Sequence, residues 1–167
     1  MPSGDTRSRA ARDAATILTW HWDGSLPVDP IAIARENGVE VFDVKLPDDV
    51  SGAIEKGEGE NAVIYLEVRD HENRRRFSCA HELGHFFDND KKGKFSYVDY
   101  RSESSRSEDE VYANEFAARL LMPDEHIEDL LKDLGGDPSL ADLARAARRF
   151  KVSPHALRVR LDKARKS

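Results

Sequence analysis

The sequence predicts an α+β protein: a small mixed or antiparallel sheet packed against helices that carry an H-E-x-x-H metal-site motif, followed by a C-terminal helix-turn-helix-like αα unit. Three observations carry that expectation. Helical periodicity marks both ends of the chain, two stretches rich in branched and aromatic residues lie between positions 39 and 68, and His81-Glu82-Leu83-Gly84-His85 sets two histidines four residues apart. The chain then divides into a disordered N-terminus over residues 1–9, a core over 10–135 and a basic helical unit over 136–167.

Met1 to Arg9 are mostly polar and lack the apolar run of a secretory signal. Ala10 to Trp22 predicts a helix whose stripe of Ala14, Ile17 and Leu18 packs against the helix of the two histidines. Asp29 is a candidate N-cap, Pro30 suits a first helical position and Gly38 closes the segment, so Ile31 to Asn37 predicts a short helix. Val39 to Val44 and Ala62 to Val68 read as strands. Gly52 to Glu55 is expected to pair with the second of them across Lys56 to Asn61, where Gly57 and Gly59 permit a tight turn.

Asp88 to Ser107 is polar, with Lys91, Lys92, Lys94 and a serine-rich end, and reads as a long surface loop. Ser107 to Pro123 has helix-forming composition and stops at its proline. On a wheel, Ala113, Phe116, Ala117 and Leu120 face the core, while Glu108, Tyr112, Glu115 and Arg119 face outwards. Further on, Leu140, Leu143, Ala144 and Ala147 recur at helical spacing, Lys151 to Ser153 makes a break, and Pro154 opens a helix carrying Leu157 and Leu161. From Pro138 to Ser167 nine lysines and arginines stand against two aspartates, in a chain of net charge −6. Such a unit is either a DNA contact, with Arg158 and Arg160 as the residues to test, or a scaffold with its charges in water.

The chemistry resides in the histidine pair. At about 100° per residue, His85 lies some 40° around the helix from His81 and one turn along, so both rings reach one cation. Cys79, Ala80, Leu83, Phe86 and Phe87 occupy the opposite arc. Zinc sites of the catalytic kind use three side chains. Glu110 supplies the third by its place at the inner boundary of its helix, in line with Asn114, Ala117 and Leu121; Asp109 is the second choice. Spacing alone also allows Glu110 to be a favourable charge in a first helical turn. Glu82 sits beside the pair, where a carboxylate can take a proton from water. The donors suit Zn2+ and do not exclude Mn2+.

Composition limits the setting. The 167 residues are 39% hydrophobic and 35% charged, and no run of about twenty apolar residues offers a membrane span. The one cysteine, Cys79, forms no internal disulfide and reads as a packed core thiol, so the expected location is cytoplasmic. His21, His71, His126 and His155 read as exposed or core-edge histidines.

Two blocks, R-R-F-S-C-A-H-E-L-G-H from Arg75 to His85 and E-x-x-A-N-x-F-A-A-x-L-L-M-P from Glu110 to Pro123, together resemble the ImmA/IrrE family of metallopeptidases. The resemblance extends to Pro27–Asp29, to Ser51-Gly52 and to F-x-V-S-P-x-A-L-x-x-R-L from Phe150 to Leu161. It implies that His81, His85 and Glu110 bind the metal, that Glu82 is the catalytic base and that the core is a zinc-dependent endopeptidase. It further implies a protein substrate: an XRE-type helix-turn-helix repressor or antitoxin, in a stress-response, mobile-element or toxin–antitoxin setting. Tyr112 departs from the family, many of whose members have a second glutamate there. The competing reading is a DNA-binding regulatory protein with a structural metal site, which would have no use for Glu82.

Overall fold

Four strands form one mixed sheet in the order β1-β3-β2-β4. The computed structural model describes residues 4–102 and 106–167; Met1 to Ser3 and Glu103 to Ser105, part of the serine-rich stretch, lie outside the described residues. In chain order the elements are α1 (Gly4–His21), α2 (Pro30–Glu36), β1 (Glu40–Val44), β2 (Val50–Lys56), β3 (Val63–Glu67), α3 (Glu72–Asn89), β4 (Phe95–Tyr100), α4 (Glu108–Leu121), α5 (Asp124–Leu134), α6 (Leu140–Phe150) and α7 (Pro154–Arg165). β1 runs parallel to β3, whereas β2 is antiparallel to both β3 and β4. The sheet is therefore mixed, and α3 lies across it. Among the described residues no helix is long and apolar enough to cross a membrane.

Local chemistry explains most of these elements. Asp29 caps α2, its carboxylate accepting from the amides of Ile31 and Ala32, and Gly38 takes the positive φ of 76° that turns the chain into β1. The β2–β3 hairpin has Gly59 at φ 70° in its turn. Ser139 and Asp142 cap α6 reciprocally, and Ser153 caps α7 with Pro154 in its first turn.

Several sequence expectations change in three dimensions. Helix α1 starts at Gly4, so residues 4–9 are helical where disorder was expected. They dock through Arg9, which pairs with Asp88 at 2.6 Å and lies 4.4 Å over the Tyr112 ring. The main partner of α1 is α4, not the histidine helix. Helix α4 is consequently enclosed on nearly every side. Tyr112, expected outside, is fully buried and donates to Asp13 Oδ2 at 2.6 Å; Glu115 is buried against Arg119 at 2.9 Å. Within the stretch expected to be loop, Phe95–Tyr100 is a strand, because its backbone extends the sheet beside β2. Leu140, expected to share the buried stripe of α6, is 83% exposed because it sits at the first position of the helix, beyond the packed face. Helix α5, at the end of the expected core, is a further element that the sequence patterns do not mark.

Two buried arginines fasten the C-terminal helices. Arg76 of α3 donates to the carbonyls of Val28, Phe150 and Lys151, and so satisfies the end of α6. Arg160 of α7 is 4% exposed and donates to Met122 O, at the end of α4, and to Asp124. Each turns a charge inwards to serve carbonyls that the helices leave unpaired.

Glu67 closes β3 in a similar way. Its carboxylate accepts from the Leu46 and Arg69 amides and from the Arg69 guanidinium, which together hold it at a pKa of about 2. A depressed carboxylate pKa stabilises the fold above the unfolded value and ceases to do so as pH falls through the folded one. Glu67→Gln is therefore expected to lower the thermal midpoint at neutral pH. Its difference from the parent should shrink as pH falls from about 4.5 towards about 2, a trend that thermal melts across that range will reveal or refute.

Candidate metal centre

The site is built where α3 crosses α4. His71 caps α3, its ring accepting from the Asn73 amide at 3.0 Å, and Glu72 adds a favourable charge in the first turn. From Ser78 to His85 every residue is buried. The expected apolar back is present at Cys79, Ala80 and Leu83, but the histidine face is covered too, by α4 and the sheet. Gly84 makes the crossing possible: a Cβ on it would lie 2.8 Å from Ala113 Cα. Helix α4 can thus lie close enough to bring Glu110, in its first turn behind the Ser107 cap, over the two imidazoles.

His81 Nε2 lies 3.2 Å from Glu110 Oε2, and His85 Nε2 lies 3.0 Å from Glu110 Oε1. The three donor atoms all fall within 4.8 Å of one another, and these residues could hold a metal ion. The rings meet edge to face, 4.9 Å apart at 84°. Burial disfavours a charged His81, but the hydrogen bond to Glu110 and the nearby carboxylates of Glu82, Asp99 and Glu110 together outweigh it and raise the imidazole to about 9. Burial likewise opposes ionisation of Glu110, and the two imidazoles overcome it, holding the carboxyl well below its usual range. Two nitrogens and one carboxylate attract positive charge into a nearly dry volume, the donor chemistry of a zinc site. Asp109, the second choice as ligand, is exposed and takes no part.

Two supporting residues escaped the sequence reading. Asn114, one turn after Glu110, lies with Oδ1 2.9 Å from His81 Nδ1. With its proton on Nδ1, His81 donates to that oxygen and keeps Nε2 for a cation. Its alignment with Glu110 on the wheel was the signal available. Tyr97 of β4 stacks flat on His85, 4.1 Å away at 4°, and donates to Asn89 Oδ1. The odd-numbered aromatics of Phe95-Ser96-Tyr97 were its only trace. Replacing Asn114 by Ala should weaken metal binding roughly 10- to 100-fold, the usual cost of losing a histidine's outer partner. Competition with a chromogenic chelator reads this directly, and an unchanged affinity would remove Asn114 from the site.

Glu82 is fully buried, and among the described residues neither of its carboxylate oxygens has a hydrogen-bond partner. Burial pushes it up to about 8; nearby Asp99 and Glu110 add to this and His81 opposes it. Strand β2 closes over it: Oε1 lies 3.4 Å from where a Cβ on Gly52 would stand. Cys79 is buried behind the site, and the loss of solvent pushes its thiol far up. None of the remaining histidines joins the triad among the described residues. His21 pairs with Glu36, His71 is the cap, His126 lies against Trp22 and His155 is exposed.

Several charges of the basic C-terminal unit are engaged within the protein, while Arg148 and Arg149 of α6 stay exposed. Arg160 is buried, Arg158 pairs with Asp137 at 2.8 Å, Arg145 with Asp142 at 2.7 Å and Lys151 with Glu72 at 3.2 Å. The two arginines singled out for a DNA contact are thus a carbonyl staple and a partner of Asp137.

A mixed sheet over a helix with two histidines, and a neighbouring helix supplying a carboxylate, define an α+β protein with a candidate metal site of the H-E-x-x-H plus glutamate kind. The family model described as the IrrE N-terminal-like domain of Peptidase M78 matches residues 34–162, and the chain belongs to this metallopeptidase-like family. Among solved structures the chain is similar to a Mycobacterium tuberculosis transcriptional regulator, with a TM-score of 0.63 and 17% identity over 94% of this chain. The match takes in 50% of that regulator, so the chain spans about half its length, and the likeness concerns the fold. A search of curated proteins found no match.

Proposed function

We propose that the chain is a zinc-dependent endopeptidase in which His81, His85 and Glu110 hold the metal and Glu82 is the catalytic base. The observation that carries this reading is Glu82 itself. A carboxylate buried with two unpartnered oxygens is costly, and a structural metal site has no need of one. Beside the triad it has a use.

A bound zinc would supply Lewis acidity, polarising the scissile carbonyl and lowering the pKa of water to about 7. Glu82 takes the proton from the attacking water and passes it to the leaving amine. Its raised affinity for a proton suits it to hold that proton between the two steps. Asn114 and Tyr97 fix the two imidazoles, and closure of the site by β2 and α4 keeps bulk water from Glu82. β4, the strand at the sheet edge whose Tyr97 lies on His85, is where an extended peptide adds as a further strand.

For substrate we propose a cytoplasmic helix-turn-helix repressor of the XRE type, whose cleavage relieves repression. Family membership supports a protein target over a DNA one, and the pairing of Arg158 with Asp137 and the burial of Arg160 engage the two cations first considered for DNA. The test is to incubate the zinc-loaded protein with an XRE-type repressor from the same organism and to follow fragments by mass spectrometry, with and without a chelator. Discrete fragments that vanish with chelation support the proposal. A repressor left whole by fully loaded protein rules out this substrate.

A further inference from the structure

We propose that the groove between α3, α4 and α7 selects the substrate by accepting a bulky aliphatic or aromatic side chain next to the cleaved bond, an inference that rests on the peptidase reading above. The groove holds about 670 Å³ and is walled by Phe77, Ala118, Met122, Val152, Ala156 and Val159. That volume lies within the roughly 300–1,000 Å³ of ordinary ligand pockets, and open apolar concavities of this kind mark binding surfaces.

Helical register ties the groove to the metal donors. Phe77 precedes His81 by four residues on α3, and Asn114 follows Glu110 by four on α4, so each wall continues the ligand face one turn, or about 5.4 Å, further along. Asn114 belongs to both places, since it lines the groove and contacts His81. A peptide held at the triad therefore has the groove within reach of the adjacent side chain. The cations of the rim have partners of their own, which favours an uncharged occupant. Arg74 is already paired with Asp99 at 3.5 Å and Lys163 with Glu115 at 3.6 Å. The small side chains of Ala118 and Ala156 leave the room that a bulky apolar group fills.

This gives α7 a different task from the one its charges suggested. Its Ala156 and Val159 line the groove while Arg160 turns to Met122 O. The helix-turn-helix-like unit thus contacts the substrate chain rather than a duplex.

Calorimetry with leucine hydroxamate and glycine hydroxamate on the zinc-loaded protein tests the assignment, because both probes share the metal-binding group and differ in the side chain. The leucyl probe is expected to bind roughly ten- to a hundred-fold more tightly. Val159→Trp at the exposed mouth, and Ala118→Trp deeper in, should each bring that ratio near one with the glycyl affinity unchanged; the surface variant guards against misfolding of the deeper one. Equal affinities in the parent overturn the pocket while leaving the metal site intact. Binding of neither probe refutes the peptidase reading instead, and the pocket is then decided on the metal-free protein. There, N-acetyl-leucinamide but not N-acetyl-glycinamide should shift the methyl resonances of Ala118, Ala156 and Val159, and unmoved methyls overturn the proposal. A dimer in sedimentation that Val159→Trp dissociates would make the groove a self-association surface and overturn it as well.

Discussion

Glu82→Gln is expected to reduce cleavage of the protein substrate by about 10²- to 10⁴-fold, the range that a positioned general base contributes, while the bound zinc per chain stays the same. The substitution removes a proton acceptor and almost nothing else. Glutamine has the shape of glutamate, burial already works against charge at this position, and among the described residues Glu82 forms no ion pair or hydrogen bond. The fold therefore loses no ion pair, and the thermal midpoint should hold or rise. Zinc analysis, melting and fragment yield on one preparation separate the three effects. Cleavage within ten-fold of the parent would transfer the base role away from Glu82. Loss of zinc would mean instead that Glu82 is a ligand.

Gly84 carries the largest expected effect on stability. A Cβ there would meet Ala113 Cα at 2.8 Å, its carbonyl oxygen at 3.2 Å and its Cβ at 3.3 Å. None of these atoms can swing aside, so α3 and α4 would have to part. Overpacking of this kind costs about 1–3 kcal/mol. Alanine regains up to about 1 kcal/mol of helix propensity over glycine, so the clash wins for Gly84→Ala by a modest margin, and Gly84→Val should be worse. With about 2–4 °C lost per kcal/mol in a chain of this size, melting separates the series. Parting the helices also draws Glu110 from the imidazoles, so zinc affinity should fall in the same order. An alanine variant with the parent's midpoint and affinity would show that the two helices have slack at their crossing.

Local rules carried the sequence reading of α2, the β2–β3 hairpin and the α6–α7 break, since each depends on residues a few positions apart: Asp29 with Pro30, the turn glycines, Ser153 with Pro154. The triad was legible for a related reason. His81 and His85 declare themselves within one helix, and the phase of Glu110 could be counted on its own helix. What was not legible depends on partners distant in sequence. Tyr112 reads as an outward residue until α1 covers it, Glu115 until Lys163 of α7 meets it. Phe95 to Tyr100 reads as polar loop until β2 offers a free edge. Arg160 is indistinguishable from a surface cation in the sequence, and the Met122 carbonyl and the Asp124 carboxylate explain its burial.

Cys79 sits on the far side of the metal helix from the cleft, the one thiol in the chain and wholly shut from solvent. Its isolation makes the protein its own reporter of breathing. A thiol reagent has nothing to modify in the closed molecule, so the rate at which label accumulates measures how often the metal helix leaves its bed. Zinc that bridges α3 to α4 would slow that clock by the same factor by which it holds the two helices together.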